Sequence, residues 1–118
     1  MKVLRLSLVM AMMSGLFLAC GEETNGPGTD ATVDVADDVF NPTATSVDVG
    51  ESVTWEWQGS NTHNVTFVNP INGGSAPASA TQATGTYSLT FSTAGDFDYY
   101  CTIHGTPTSG MRGSVAVQ

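Results

Sequence analysis

From Ala31 onward, large apolar side chains fall on alternate positions of the chain. Val33 and Val35, Val47 and Val49, Val53, Trp55 and Trp57, Val65 and Phe67, Tyr87, Leu89 and Phe91, Phe97 and Tyr99, and Val115 and Val117 each put their bulk on one face of an extended segment. Turn formers bound these runs: Asn41 and Pro42, Gly50 and Glu51, Gly73 and Gly74, Ala94 and Gly95. No window carries the 3.6-residue repeat of an amphipathic helix. The pattern predicts an all-β domain of about seven to eight short strands. Because each strand has one apolar face, two sheets must pack against each other as a β-sandwich. The stretch NPINGGSAPASA, residues 69–80, holds mostly small residues and predicts a long crossover loop between the sheets.

The amino end follows a different pattern. Lys2 and Arg5 precede an uncharged apolar run from Leu6 to Leu18, closed by Ala19 and Cys20. That run is shorter than the ~20 residues a spanning helix needs, and it reads as a secretory signal. The Ala19–Cys20 junction resembles the lipobox of bacterial lipoproteins, with Phe17 and Leu18 departing from the preferred residues. Plain export with cleavage near Ala19 is the alternative. The resulting division is a signal peptide at 1–19, a lipidated Cys20 with a Gly- and Pro-containing tether at 20–30, and one domain at 31–118. The expected location is outside the cytoplasm, periplasmic or at the cell surface, with Cys20 holding the domain to a membrane through its lipid.

Loss of the leader changes the charge and the sulfur inventory. The whole chain carries −8, but without Lys2 and Arg5 only Arg112 opposes eleven acidic residues, a net charge of −10. Such a surface excludes nucleic acid as a partner. It suits either a solvated monomer or steering toward a basic protein. Four of the five methionines and one of the two cysteines also leave the folded domain, so Cys101 and Met111 are alone of their kind in it. Cys101 therefore has no disulfide partner within the domain.

The scarce ligand types are not scattered. Cys101, His104 and Met111 fall within FDYYCTIHGTPTSGM, residues 97–111, and the other histidine is His63. Core packing accounts for a lone buried Cys or Met, but it does not call for a histidine three residues after the Cys. Parity places Cys101 on the inward face with Phe97 and Tyr99, and His63 with Val65 and Phe67, so both enter the core at strand ends. His104 and Met111 fall in the loop between the strand ending at Cys101 and a last strand starting near Arg112. One thiolate, two imidazoles and one thioether make a His₂Cys plane with a weak axial Met, the donor set suited to copper. A structural zinc site more typically uses two or more thiolates. A dinuclear copper centre would need a second cysteine, a second copper site would need more histidines, and cysteine catalysis would need a cleft.

At these residues the chain resembles the cupredoxins, and within them the plastocyanin-like small blue copper proteins. The segments are THNVTF (62–67) and FDYYCTIHGTPTSGMRGSVAV (97–117), supported by VFNPTATSVDVGESVTWEW (39–57). The resemblance implies a Greek-key sandwich and one type 1 copper per chain, with His63, Cys101 and His104 as equatorial ligands and Met111 as axial ligand. It also implies that Asn64 ties the two ligand segments through a hydrogen bond to Thr102. Six residues separate His104 from Met111, a longer loop than in plastocyanin itself, while GMRG keeps the family's Gly-Met-x-Gly pattern. The implied function is single-electron transfer between redox proteins outside the cytoplasm, such as a c-type cytochrome or a membrane oxidoreductase, and not enzymatic catalysis. Copper storage, delivery or sensing with the same ligands is the alternative.

Overall fold

A computed structural model describes residues 30–118. The signal peptide at 1–19 and the Cys20 tether therefore lie outside the described residues, apart from Asp30. Eight strands follow in order: β1 (Ala31–Ala36), β2 (Val39–Asn41), β3 (Ala44–Val47), β4 (Ser52–Trp57), β5 (Thr66–Phe67), β6 (Thr86–Thr90), β7 (Gly95–Thr106) and β8 (Ser109–Val117). They form two four-stranded sheets, ordered β2-β1-β4-β6 and β3-β8-β7-β5. Both sheets are mixed. β1 runs parallel to β4 and β3 parallel to β8, while the other pairings are antiparallel. The chain crosses between sheets after β2, β3, β4, β5 and β6, so that each sheet is assembled from distant segments.

The inward faces carry the residues that the alternation selects. Val33, Val35, Val53, Trp55, Trp57, Val65, Phe67, Phe91, Tyr99, Val115 and Val117 are buried together. Trp55 lies at the centre, with ring centroids 5.3 Å from Tyr99 and 5.7 Å from Phe67, both near perpendicular. Edge-to-face aromatic pairs of this kind add ~0.5–1.5 kcal/mol each beyond the area they bury. Phe40 extends the cluster with its ring 4.8 Å from Tyr99. Burial pushes the Tyr99 hydroxyl up to about 12.

Three details differ from the alternation. Val49 is 49% exposed because it lies beyond the end of β3, in the turn leading to β4. Tyr87 and Leu89 are only partly buried, since β6 is an edge strand with a single neighbour. The crossover from β5 to β6 is more ordered than a small-residue loop suggests. It doubles back along the His63–Phe67 segment, with bridges His63–Gln82 and Thr66–Ala78, and it contributes Ile71 to the core.

The largest correction concerns residues 102–111. β7 does not end at Cys101; it runs on to Thr106, and β8 begins at Ser109, so Pro107 and Thr108 alone make the turn. The Thr106 hydroxyl closes this hairpin, accepting hydrogen bonds from the amides of Thr108 (3.3 Å) and Ser109 (3.1 Å). Gly105 pairs with Gly110 at the base of the tip. A side chain at either position would run into backbone: a Cβ on Gly105 would stand 2.6 Å from the Met111 amide nitrogen, and one on Gly110 2.7 Å from the His104 carbonyl oxygen. Gly110 also has φ +78°, a conformation that L side chains rarely adopt. Both glycines read in the sequence as loop formers, but their role is close strand approach.

Candidate metal centre

The hairpin builds the centre through a register shift. Tyr100 pairs with Arg112 and Gly105 with Gly110, so between these pairs β7 contributes four residues, Cys101 to His104, and β8 contributes only Met111. Extra residues on one strand must bow away from the ladder and redirect their side chains. Cys101 and Met111 stay in the core, whereas Thr102 and Ile103 face outward and His104 returns to a half-buried position. A three-residue spacing that would alternate on a regular strand can thereby bring Cys101 and His104 to one point.

His63 reaches the same point from the segment between β4 and β5. Its backbone is held on both sides by reciprocal hydrogen bonds with Gln82, each 3.0 Å, and its carbonyl accepts from Trp57 Nε1 at 3.2 Å. The next residue, Asn64, joins this segment to β7. Its Nδ2 donates to Thr102 Oγ1 (2.8 Å) and to Thr81 Oγ1 (3.0 Å), and its Oδ1 accepts from the Thr102 amide (3.1 Å) and the Thr66 hydroxyl (2.9 Å). Asn64 is buried, so each of these bonds replaces one that water would otherwise supply.

Three donor atoms converge as a result. His63 Nδ1 lies 3.0 Å from His104 Nδ1, and Cys101 Sγ lies 3.9 Å from His63 Nδ1 and 3.7 Å from His104 Nδ1. The point equidistant from the corners of a triangle with those sides is about 2.1 Å from each, inside the ~2.0–2.3 Å span of metal–nitrogen and metal–sulfur bonds. One ion can touch all three. Cys101 is a free, buried thiol and His63 is fully buried, an arrangement that water cannot serve and a soft or borderline metal can. Met111 is buried directly opposite the bowed segment, in the same cluster as Cys101. Among the described residues, His63, Cys101 and His104 form the one group of this kind that could hold a metal ion.

The outer edges of the imidazoles meet two residues that the sequence reading did not select. His63 Nε2 is 3.2 Å from Asp37 Oδ1, and His104 Nε2 is 3.7 Å from Asp38 Oδ1. Asp37 also accepts the amides of Ser60 and Asn61. The Asn61 amide, the His63 side chain and the Ser60 amide hold its carboxyl below the usual range. Adjacent acids in a turn 26 residues before His63 carry no motif that would point to it. The parallel pairing of β1 with β4 brings the two turns to the same end of the sheet.

Residues 28–118 match the family model of copper binding proteins, plastocyanin/azurin family. The chain belongs to this family. Curated cupredoxins similar to it include an amicyanin from Paracoccus denitrificans, 38% identical over 87 residues, which is 73% of this chain and 63% of that protein. A plastocyanin from Scenedesmus fuscus is 34% identical over 100 residues, covering 75% of this chain and all of that protein. Among solved structures, a Cu(I) form of an amicyanin mutant superimposes with a TM-score of 0.65 at 37% identity, over 75% of this chain and 82% of that one. The two-sheet architecture and the copper cofactor thus agree with what the plastocyanin/azurin family shares.

Proposed function

We propose that this cupredoxin is a type 1 copper electron carrier, in which His63 Nδ1, Cys101 Sγ, His104 Nδ1 and Met111 would hold the metal. The observation that supports it most directly is the triangle of donor atoms with sides of 3.0, 3.7 and 3.9 Å. Copper bound there supplies a one-electron couple between Cu(I) and Cu(II). The protein's part is to keep its donors in place through that change. Cys101 and Tyr99 lie on the same face of β7 against the aromatic core, His63 is clamped between Gln82 and Trp57, and Asn64 locks the two segments together. A donor set that does not rearrange lowers the barrier to accepting or giving an electron.

The route in and out follows from exposure. His63 and Cys101 are sealed, but the His104 side chain is 28% exposed and Ile103 beside it is 49% exposed. A redox protein approaching this end meets the imidazole edge of His104, one of the residues that would hold the copper. The physiological partners in this reading are extracytoplasmic redox proteins such as a c-type cytochrome or a membrane oxidoreductase, and Cys20 carries a lipid that keeps the carrier at a membrane. The basic and apolar leader before Cys20 supports both points.

The test is a titration of the purified protein with Cu(II), followed in the visible spectrum. One intense thiolate-to-copper band saturating at one equivalent, absent in Cys101→Ser, is expected. Tight binding without that band would demote Cys101 and favour storage or delivery. A band that persists in Cys101→Ser would overturn the ligand assignment.

A further inference from the structure

Both carboxylates beside the imidazoles come from one place, the two-residue turn Asp37–Asp38 that links Ala36 to Val39 at the tip of the β1–β2 hairpin. The seat of Asp37 is built. The loop after β4 folds over the turn: Gln58 and Gly59 donate their amides to Val35 O (2.9 and 3.3 Å), and Ser60 and Asn61 donate theirs to Asp37 Oδ1, each at 3.0 Å. Gly59 has no side chain, and a Cβ there would overlap the Asp37 carboxylate. The carboxylate is therefore fixed where it meets His63 Nε2 at 3.2 Å.

We propose that Asp37 is a positioning residue for the copper site, holding His63 as the tautomer with its proton on Nε2, and that the charges of Asp37 and Asp38 bias the site toward Cu(II). The inference rests on the copper reading above. Its first half follows from donor and acceptor counting. An ionised carboxylate has only lone pairs, so the proton in the 3.2 Å contact belongs to Nε2. A neutral imidazole has one N–H, which leaves Nδ1 bare, and Nδ1 is the atom that faces Cys101 Sγ and His104 Nδ1. The second half is electrostatic. A negative charge near the metal stabilises the more positive oxidation state, whether through a hydrogen bond, as at Asp37, or across the 3.7 Å gap from Asp38 to His104 Nε2. The Asp38 side chain is 71% exposed, so solvent weakens its share.

Asp37→Asn keeps the size and an amide oxygen but removes the charge. With copper bound, as the thiolate band reports, its Cu(II)-to-Cu(I) affinity ratio is expected to fall about tenfold, because loss of a ligand-orienting partner costs about 10–100-fold in affinity and loss of a negative charge weakens Cu(II) more than Cu(I). For one electron that is an upward shift of about 59 mV in reduction potential. Asp38→Asn should shift the potential the same way by less. In the diamagnetic Cu(I) protein, long-range proton–nitrogen NMR should show the His63 proton on Nε2. An unchanged potential in folded Asp37→Asn overturns the inference and leaves a carboxylate that merely ties the loop. A His63 proton on Nδ1 in the unaltered protein overturns it too, and that measurement decides alone if Asp37→Asn does not fold. Failure of the copper reading looks different: the unaltered protein itself then lacks the thiolate band.

Discussion

Asn64 shows how much a single side chain can carry in this site. Its amide group bonds Thr102 twice, through Nδ2 to the hydroxyl and through Oδ1 from the amide, and so fixes the distance between the segments that bear His63 and Cys101. Asn64→Ala would leave the Thr102 amide without this acceptor in a part-buried position. The expected loss is about 1–3 kcal/mol of apo-protein stability in urea unfolding, together with weaker copper binding. Unchanged stability would show that water takes over the bridge. Parity along the strands makes His63 and Cys101 legible in the sequence as inward-facing, because period two is a property of the backbone alone. Asp37 and Asp38 were not legible for the opposite reason. Their role depends on a contact between two turns, and neither turn's sequence contains the other.

At the scale of the element, the β7–β8 hairpin is where sequence reading and structure part. Residues 102–111 hold two glycines, a proline and several small polar residues, a composition that reads as loop. The backbone instead stays paired to Thr106 and resumes at Ser109, with one four-against-one bulge. Alternation cannot show a bulge, since the residues that bow out no longer alternate. Two glycines separate the steric part of this design from the conformational part. Gly110 and Gly73 have nearly equal φ, +78° and +75°, but a Cβ at 110 meets the His104 carbonyl and a Cβ at 73 meets nothing within 4 Å. Gly73→Ala should cost the left-handed penalty of about 1–2 kcal/mol. Gly110→Ala should cost clearly more in the same unfolding assay, and should weaken copper binding through His104. Equal costs would mean that the strands separate freely at the tip and that close approach there is not required.

Over the whole molecule, the centre lies where elements of both sheets meet at one end of the sandwich. Cys101, His104 and Met111 come from the β7–β8 sheet. His63 is clamped by Gln82, which precedes β6 of the other sheet, and it is backed by Asp37, which follows β1 of that sheet. Unfolding separates all of these groups, so metal binds the native state far better than the unfolded chain. By mass action, free metal at 1,000 times its dissociation constant should raise the stability by about 4 kcal/mol. The increase should appear with Zn(II), which has no redox chemistry, as well as with copper, because it depends on the donor triangle and not on electron transfer. Cys101→Ser removes one corner of that triangle and should lose most of the increase for either ion. Urea unfolding of both proteins, with and without each metal, makes the comparison. An increase of equal size in Cys101→Ser would place the stabilising ion elsewhere, whereas an increase with copper and none with Zn(II) would mean that the site closes only around the softer ion.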